Sequence, residues 1–305
     1  MKPKTTAVVV TYNRKALLEK CLNELLAQTF RCDIYVIDNA SDDGTGDMVR
    51  ELFTQPSVFY FNTGANLGGA GGFEYGLKKA VEAGYTYAWL MDDDTIPEKR
   101  SLEMLMRADK ALNGDWGILS SVARWTDGSV CKANRQKKTL FTFVKDEEIE
   151  TKKLIRTQMV SMVSLLVKTS VVKEVGLPKG EYFIWTDDYD FSGRISKKYP
   201  VYVVTPSVVL HEMKENKKAN FAIEKGDRID RYQYLFRNDV DCYRQFGIKG
   251  WAYILFKDVY ATLNVLLNAR EEKGRKILTI WKGFAKGLAF RPEAALAGGE
   301  KEEIF

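Results

Sequence analysis

Residues 6–10 (Thr6-Ala7-Val8-Val9-Val10) are an unbroken apolar and β-branched run, and similar runs recur at 34–37, 58–61 and 86–90. Runs this short, without alternation, predict strands buried on both faces. The segments between them have a different period. Leu17, Leu18, Leu22, Leu25 and Leu26 recur at three- and four-residue spacings and predict a helix over 16–27. Further helices are expected over 47–53 and over 73–83, the latter after a glycine-rich loop at 64–72. Strands alternating with helices in this way predict a mainly parallel central sheet flanked by helices, an α/β fold with right-handed crossovers.

The pattern is less regular beyond residue 100. Strands are expected at 118–122, 159–167 and 201–204, with helices at 169–175 and 187–197 and a loop at 176–185 between them. Residues 126–153 are polar, basic at 132–138 and aperiodic, which reads as a loop or hairpin. From residue 229 the period is helical. Tyr232, Leu235, Phe236, Val240 and Tyr243 mark a first helix. Residues 251–267 mark an apolar second helix broken only by Lys257 and Asp258. A charged turn at 270–275 leads to a third helix at 277–290. The expected division is residues 1–228 as the α/β body and 229–305 as a helical C-terminal extension.

Composition narrows the function. The 305 residues are 45% hydrophobic, enough for one large α/β domain with an appendage. A net charge of +5, from 46 basic and 41 acidic residues, does not suggest a nucleic-acid partner. Cys21, Cys32, Cys131 and Cys242 form no CxxC pair, so neither a zinc knuckle nor a redox pair is indicated, and reduced thiols in the cytosol are expected. No signal peptide or membrane-spanning segment is expected.

The chemistry gathers at the predicted strand ends. The first strand runs into Thr11-Tyr12-Asn13-Arg14 and the second into Asp38-Asn39-Ala40-Ser41-Asp42-Asp43-Gly44. The third is followed by Asn66-Leu67-Gly68-Gly69-Ala70-Gly71-Gly72, and the fourth by Asp92-Asp93-Asp94. Ligands of open α/β sheets bind outside the carboxyl ends of strands, so these four loops predict a nucleotide site. Three carboxylates at a buried strand end repel one another, and a divalent metal on oxygen ligands would offset them. The plain alternative is an acidic turn before a helix opening at Pro97. A dinucleotide fold would need GxGxxG after the first strand, and no glycine stands there. A second acidic group, Trp185-Thr186-Asp187-Asp188-Tyr189-Asp190, begins a helix. One aspartate would serve as a cap; three point to a site that needs a general base. His211, the chain's one histidine, follows an apolar run. Such a residue is more often structural than a ligand, but imidazole suits a manganese-like ion.

In this order, these motifs resemble the family-2 inverting glycosyltransferases of the GT-A fold. Among them they are most similar to bacterial galactofuranosyltransferases of cell-wall and surface-polysaccharide synthesis, then to rhamnosyltransferases. The resemblance spans residues 5–245. It implies a nucleotide-sugar donor and a glycan or lipid-linked glycan acceptor. Asp38 would read the uracil or ribose, with Asp92 and Asp93 near the ribose and sugar. Thr11, Tyr12, Arg14, Asn66, Gly68, Gly69 and Trp185 would line the donor site. Asp94 and His211 would hold Mg²⁺ or Mn²⁺. Asp188 would be the base, with Asp187 orienting hydroxyls. The Gln-x-x-Arg-Trp motif of processive synthases is absent, since Gln233-Tyr234-Leu235-Phe236-Arg237-Asn238 does not match. Transfer of one or a few sugars is therefore expected. A non-catalytic sugar-nucleotide or glycan binder stays open as an alternative. A nucleotidyltransferase lacks support, because no basic glycine-rich loop follows the first strand. The C-terminal helices, with Trp251, Phe256, Trp281, Phe284 and Phe290 among lysines, fit either a peripheral contact with the inner face of the membrane or a helical cap or homo-oligomer contact.

Overall fold

The computed structural model describes residues 4–133 and 135–297. The first half alternates as the sequence predicts: β1 (Thr5–Thr11), α1 (Lys15–Leu26), β2 (Asp33–Asp38), α2 (Thr45–Leu52), β3 (Val58–Asn62), α3 (Gly68–Glu82) and β4 (Tyr87–Asp92). Strands β3, β2, β1 and β4 lie side by side in that order, all parallel. Because successive side chains of a strand point to opposite faces, β1 feeds two cores. Val8 and Val10 pack with Phe73 and Leu77 of α3 on one face, and Ala7 and Val9 with Leu18 and Leu22 of α1 on the other. Fully burying a side chain of this size stabilises the fold by about 1.5–3 kcal/mol. Helix α3 opens at Gly68, inside the run expected to be a loop. Side chains at Gly72 and Gly76 would collide with Val10 and Val8, so these glycines let the helix settle onto the sheet.

The second half is mixed. It contains β5 (Thr95–Pro97), α4 (Ser101–Ala111), β6 (Ile118–Arg124), α5 (Asp146–Thr151), β7 (Leu154–Thr157), β8 (Leu165–Lys168), α6 (Thr169–Val175), α7 (Asp187–Ser196) and β9 (Val201–His211). Strand β8 lies antiparallel between β4 and β6, and β9 runs parallel to β6 but antiparallel to β5 and β7. The parallel half is thus the half whose pattern was regular. Three expectations change here. Strand β9 does not stop at 204 but resumes after an irregularity in its pairing with β6, at the stretch containing Pro206, and ends at His211. A proline cannot donate to a ladder, which accounts for the break in pattern. Of residues 159–167, only Leu165–Val167 fall within β8. Residues 126–153 are also more ordered than a loop. They contain α5, the bridges Arg124–Val130 and Lys137–Met159, and buried Cys131, Gln136, Lys137 and Leu140. Their order comes from distant partners and leaves no local period.

Three helices follow: α8 (Asp227–Arg244), α9 (Gly247–Asn268) and α10 (Lys273–Ala289). Gly283 and Gly287 of α10 face Phe236 and Val240 of α8 so closely that any added Cβ would clash. This i, i+4 pair explains how two helices without heptads pack tightly. Of the aromatic residues singled out in this region, Phe256 is 70% exposed, whereas Trp251 and Phe284 pack on a buried cluster with Tyr243 and Ile254. The ring of Phe290 lies against Tyr182 of the α/β body.

Candidate active site

The parallel strands end together, and their loops enclose a cavity of about 400 Å³. Thr11, Tyr12, Arg14, Asn66, Gly68, Gly69, Asp92 and Asp93, all expected near a donor, line it together with Asn39, Phe183, Ile184 and Arg231. Asp38 does not reach this cavity. It is fully buried; Oδ1 accepts from the Ser41 amide at 2.8 Å and Oδ2 from the Tyr60 hydroxyl at 2.6 Å. It shapes the loop that presents Asn39, whose Nδ2 donates to the Gly68 carbonyl at 2.9 Å.

The three aspartates turn different ways. Asp93 accepts from the Thr11 hydroxyl at 2.8 Å and from Arg14 at 3.2 Å. Arg14 also pairs with Asp94 at 2.7 Å. His211 reaches the cluster through strand pairing, because the β5–β9 register sets Thr95 opposite His211. Its Nε2 then lies 3.1 Å from Asp94 Oδ1. One ligand atom each from Asp92, Asp94 and His211 fall within 4.8 Å of one another. Two carboxylates and an imidazole are a suitable donor set for Mg²⁺ or Mn²⁺, so the residues present fit a divalent metal. Asp92, expected near the ribose, joins the two expected ligands.

Electrostatics agree with that crowding. Burial and the neighbouring carboxylates push Asp92 up to about 7 and Asp93 up to about 6. Asp94 resists its own burial and lies below the ordinary carboxylate range, because His211 and Arg14 favour its charged form. Burial disfavours a charged His211, yet the hydrogen bond and charge of Asp94, with Cys131 and Asp92, together outweigh it and lift the imidazole to about 10. A metal would have to displace that proton, so metal binding is coupled to proton release.

A second group faces the same space. Asp94, Asp187, Asp188, Trp185 and His211 line an adjoining cavity of about 310 Å³ that shares Arg14, Gly69, Asp92 and Ile184 with the first. The backbone leading there is contorted. Phe183, Trp185 and Thr186 all have positive φ, at 64°, 67° and 68°. Such residues cost about 1–3 kcal/mol each and persist only where surroundings over-determine them. Here Asn238 of α8 does so: its Nδ2 lies 3.0, 3.0 and 2.9 Å from the carbonyls of Tyr182, Ile184 and Trp185. The Thr186 hydroxyl donates to Asp239 at 2.9 Å. Nothing in the spacing of Gln233–Asn238 signalled this buttress, since its partners lie about fifty residues away.

The acids on α7 divide by environment. Asp190 is buried in ion pairs with Lys179 at 3.3 Å and Arg194 at 2.8 Å, and so holds the helix in place. Burial and the adjacent Asp188 push Asp187 well above the carboxylate range. Burial also raises Asp188, to about 6, against the opposing effects of the Tyr189 amide, the Ser161 hydroxyl and Lys137. Near neutral pH the pair therefore offers one protonated and one ionised carboxyl.

Comparison with known proteins adds a family and a fold. The profile described as Glycosyl transferase family 2 matches residues 6–164, just over half of the chain. Over 92 residues the chain is 48% identical to galactofuranosyltransferase GlfT1 of Mycobacterium tuberculosis, an alignment covering 29% of each protein. The chain thus spans less than a third of the length of this curated relative. Similarity of structure is wider. S. aureus TarS 1–349 in complex with UDP superposes with a TM-score of 0.55 at 16% identity, covering 94% of this chain and 72% of that one. Mannosyltransferase PcManGT from Pyrobaculum calidifontis, in complex with GDP-Man and Mn²⁺, gives 0.55 at 18% identity, covering 95% and 76%. At such identities the likeness carries the fold alone, a GT-A-like α/β architecture.

Proposed function

Because the chain belongs to glycosyl transferase family 2, we propose that it is an inverting transferase carrying galactofuranose from UDP-galactofuranose to a hydroxyl of a bacterial surface glycan or lipid-linked glycan. One observation carries the reading. A metal-competent cluster and an acid pair line adjoining parts of one cavity, as displacement of a diphosphate by a hydroxyl at an anomeric carbon requires. The stretch of identity with a galactofuranosyltransferase supports the donor sugar.

Asp92, Asp94 and His211 would hold Mg²⁺ or Mn²⁺ against the diphosphate, and the ion would stabilise the negative charge of the leaving group. The other steps belong to the chain itself. The loops with Asn39, Asn66, Gly68 and Gly69 seat the nucleotide. Asp188, ionised above a pH of about 6, accepts the proton of the acceptor hydroxyl. The freed oxygen forms a bond to the anomeric carbon from the face opposite the diphosphate, and the carbon–oxygen bond to the diphosphate breaks with its electron pair on oxygen. Inversion follows from this in-line geometry. Asp187, protonated, can donate to a sugar hydroxyl.

The exposed face of α9 supports a further element of the reading, peripheral contact with an anionic membrane. Ile248 is 88% exposed, Phe256 70% and Leu267 80%; Lys249 on the same helix and Lys273, Lys282 and Lys286 on α10 are exposed too. Apolar residues on one helix face among lysines suit an interfacial position. Among the described residues no helix is long and apolar enough to cross a membrane.

The test is nucleotide release. With Mn²⁺ present, UDP should appear from UDP-galactofuranose faster than from UDP-galactopyranose, and faster than dTDP appears from dTDP-rhamnose. Preference for dTDP-rhamnose would transfer the assignment to a rhamnosyltransferase. No turnover of any donor, with binding retained, would favour a non-catalytic binder.

A further inference from the structure

Lys137 lies in the basic segment that the sequence reads as a loop, yet it is only 2% exposed. Its ammonium donates to the hydroxyls of Tyr243 at 2.7 Å and Tyr253 at 3.0 Å. It also lies over four aromatic rings, with centroid distances of 4.6 Å to Tyr253, 4.7 Å to Tyr243, 5.0 Å to Tyr189 and 5.5 Å to Phe143. Phenol oxygens and ring faces stabilise a cation without neutralising it. The backbone fixes the residue equally firmly. Its amide donates to the Met159 carbonyl at 2.8 Å, just before Ser161, whose hydroxyl supports Asp188. Tyr189, one wall of the cage, follows Asp188 and donates its amide to Asp188 Oδ1 at 2.7 Å. A desolvated positive charge is therefore built in beside the acid pair, and two of its four walls come from α8 and α9.

We propose that Lys137 is a positioning residue for the base. Its caged ammonium provides the positive charge against which Asp188 works, and the C-terminal helices contribute to turnover by holding that charge in place. This inference rests on the reading of Asp188 as the base. Of the other titratable groups facing Asp188, Asp187 on the same helix opposes ionisation, and the buried Tyr189 and the Cys242 thiol of α8 are held neutral by burial; the Tyr189 amide and the Ser161 hydroxyl favour the charged form through hydrogen bonds. Lys137 lowers the carboxyl against its burial. Removing the cation leaves burial and Asp187 opposed only by the Tyr189 amide and the Ser161 hydroxyl.

The experiment is a ¹³C-carboxyl NMR titration of aspartate-labelled protein, with the Asp188 signal assigned by its loss in Asp188→Asn. Lys137→Met should raise the Asp188 midpoint by about one pH unit, roughly what one nearby charge of opposite sign contributes. Lys137→Arg should keep the midpoint close to that of the unmodified protein. UDP affinity should stay constant in both. An unchanged midpoint in Lys137→Met overturns the proposal. Should that variant fail to fold, Tyr253→Phe replaces it; loss of one hydrogen bond should move the midpoint upward by less, and no movement is again contradictory. A wild-type protein that binds no UDP would remove the transferase reading, while the Asp188 comparison would still stand or fall on its own.

Discussion

The two sides of the cavity are built differently. The nucleotide side is assembled mainly from consecutive strand ends within the first hundred residues, each loop with its own polar signature, and later elements add Phe183, Ile184, Arg231 and His211. The base side is assembled from α7, residues 131–161 and two C-terminal helices, and its decisive contacts join residues about fifty to a hundred and sixteen positions apart. A site built from local loops can tolerate changes elsewhere in the chain. One built from distant contacts depends on the packing of every contributor. The strain in the backbone is placed accordingly, with three left-handed non-glycine residues gathered before Asp187.

Removing the base gives the largest expected effect and separates the two sides. Asp188→Asn should lower turnover of donor and acceptor by about 10²- to 10⁴-fold, the scale of a lost general base, with nucleotide affinity nearly unchanged. Turnover close to normal at saturating acceptor would move the base elsewhere.

Next comes the buttress. Asn238→Ala removes the side-chain donor shared by the Ile184 and Trp185 carbonyls, while the Tyr182 carbonyl keeps the Ile184 amide at 2.7 Å and Arg237 at 3.3 Å; the loss should cost about 1–3 kcal/mol in urea unfolding. Turnover should fall while UDP binding is kept. Equal loss of both would mean that the sides are not separable.

Much of the difference between the sides was legible in the sequence, and the reason is physical. Strands β1 to β4 betray themselves by short β-branched runs, and the loops after them by clustered polar residues, because each is specified by neighbours in sequence. His211 could be picked as a candidate by its chemistry, but its place beside Asp94 depends on the β5–β9 register, which no local pattern encodes. Asn39 stood next to a residue that was chosen, Asp38, and it is the asparagine that reaches the cavity. Asn238, Asp239 and Lys137 were invisible as a group, since polar residues on a helix or in a basic stretch read as solvated until the distant partner is known.

A pH-dependent effect sharpens the comparison within α9. Asp258 is 1% exposed and neither carboxylate oxygen has a hydrogen-bond partner. Burial and nearby Asp239 push it up to about 7 despite Lys257. A folded-state value above the unfolded one, about 4, means that folding favours the protonated form. Full stability is present below pH 4 as far as this group is concerned, and is lost as pH rises towards and through 7. Asp258→Asn should therefore raise stability by about 2–3 kcal/mol more at pH 8 than at pH 5, as read by thermal unfolding. Equal effects at both pH values would contradict the assignment.

The smallest expected effect is at the surface. The protein should co-sediment with vesicles containing phosphatidylglycerol at low salt, each nearby lysine contributing about 1 kcal/mol, and should be released as salt rises. Phe256→Glu with Leu267→Glu should abolish this without changing UDP affinity. Vesicles ignored at low salt would leave the α9 face to a second copy of the chain, which sedimentation velocity would reveal.

The central claim is that nucleotide binding and proton acceptance are held by separate halves of one cavity. Calorimetric titration of UDP with Mn²⁺ into wild type, His211→Ala and Asp188→Asn tests it most directly. His211→Ala should weaken UDP by at least about tenfold, within the range seen when a metal site is impaired, and Asp188→Asn should bind as wild type does. Equal weakening in both variants, or Mn²⁺-independent binding in all three, would contradict it.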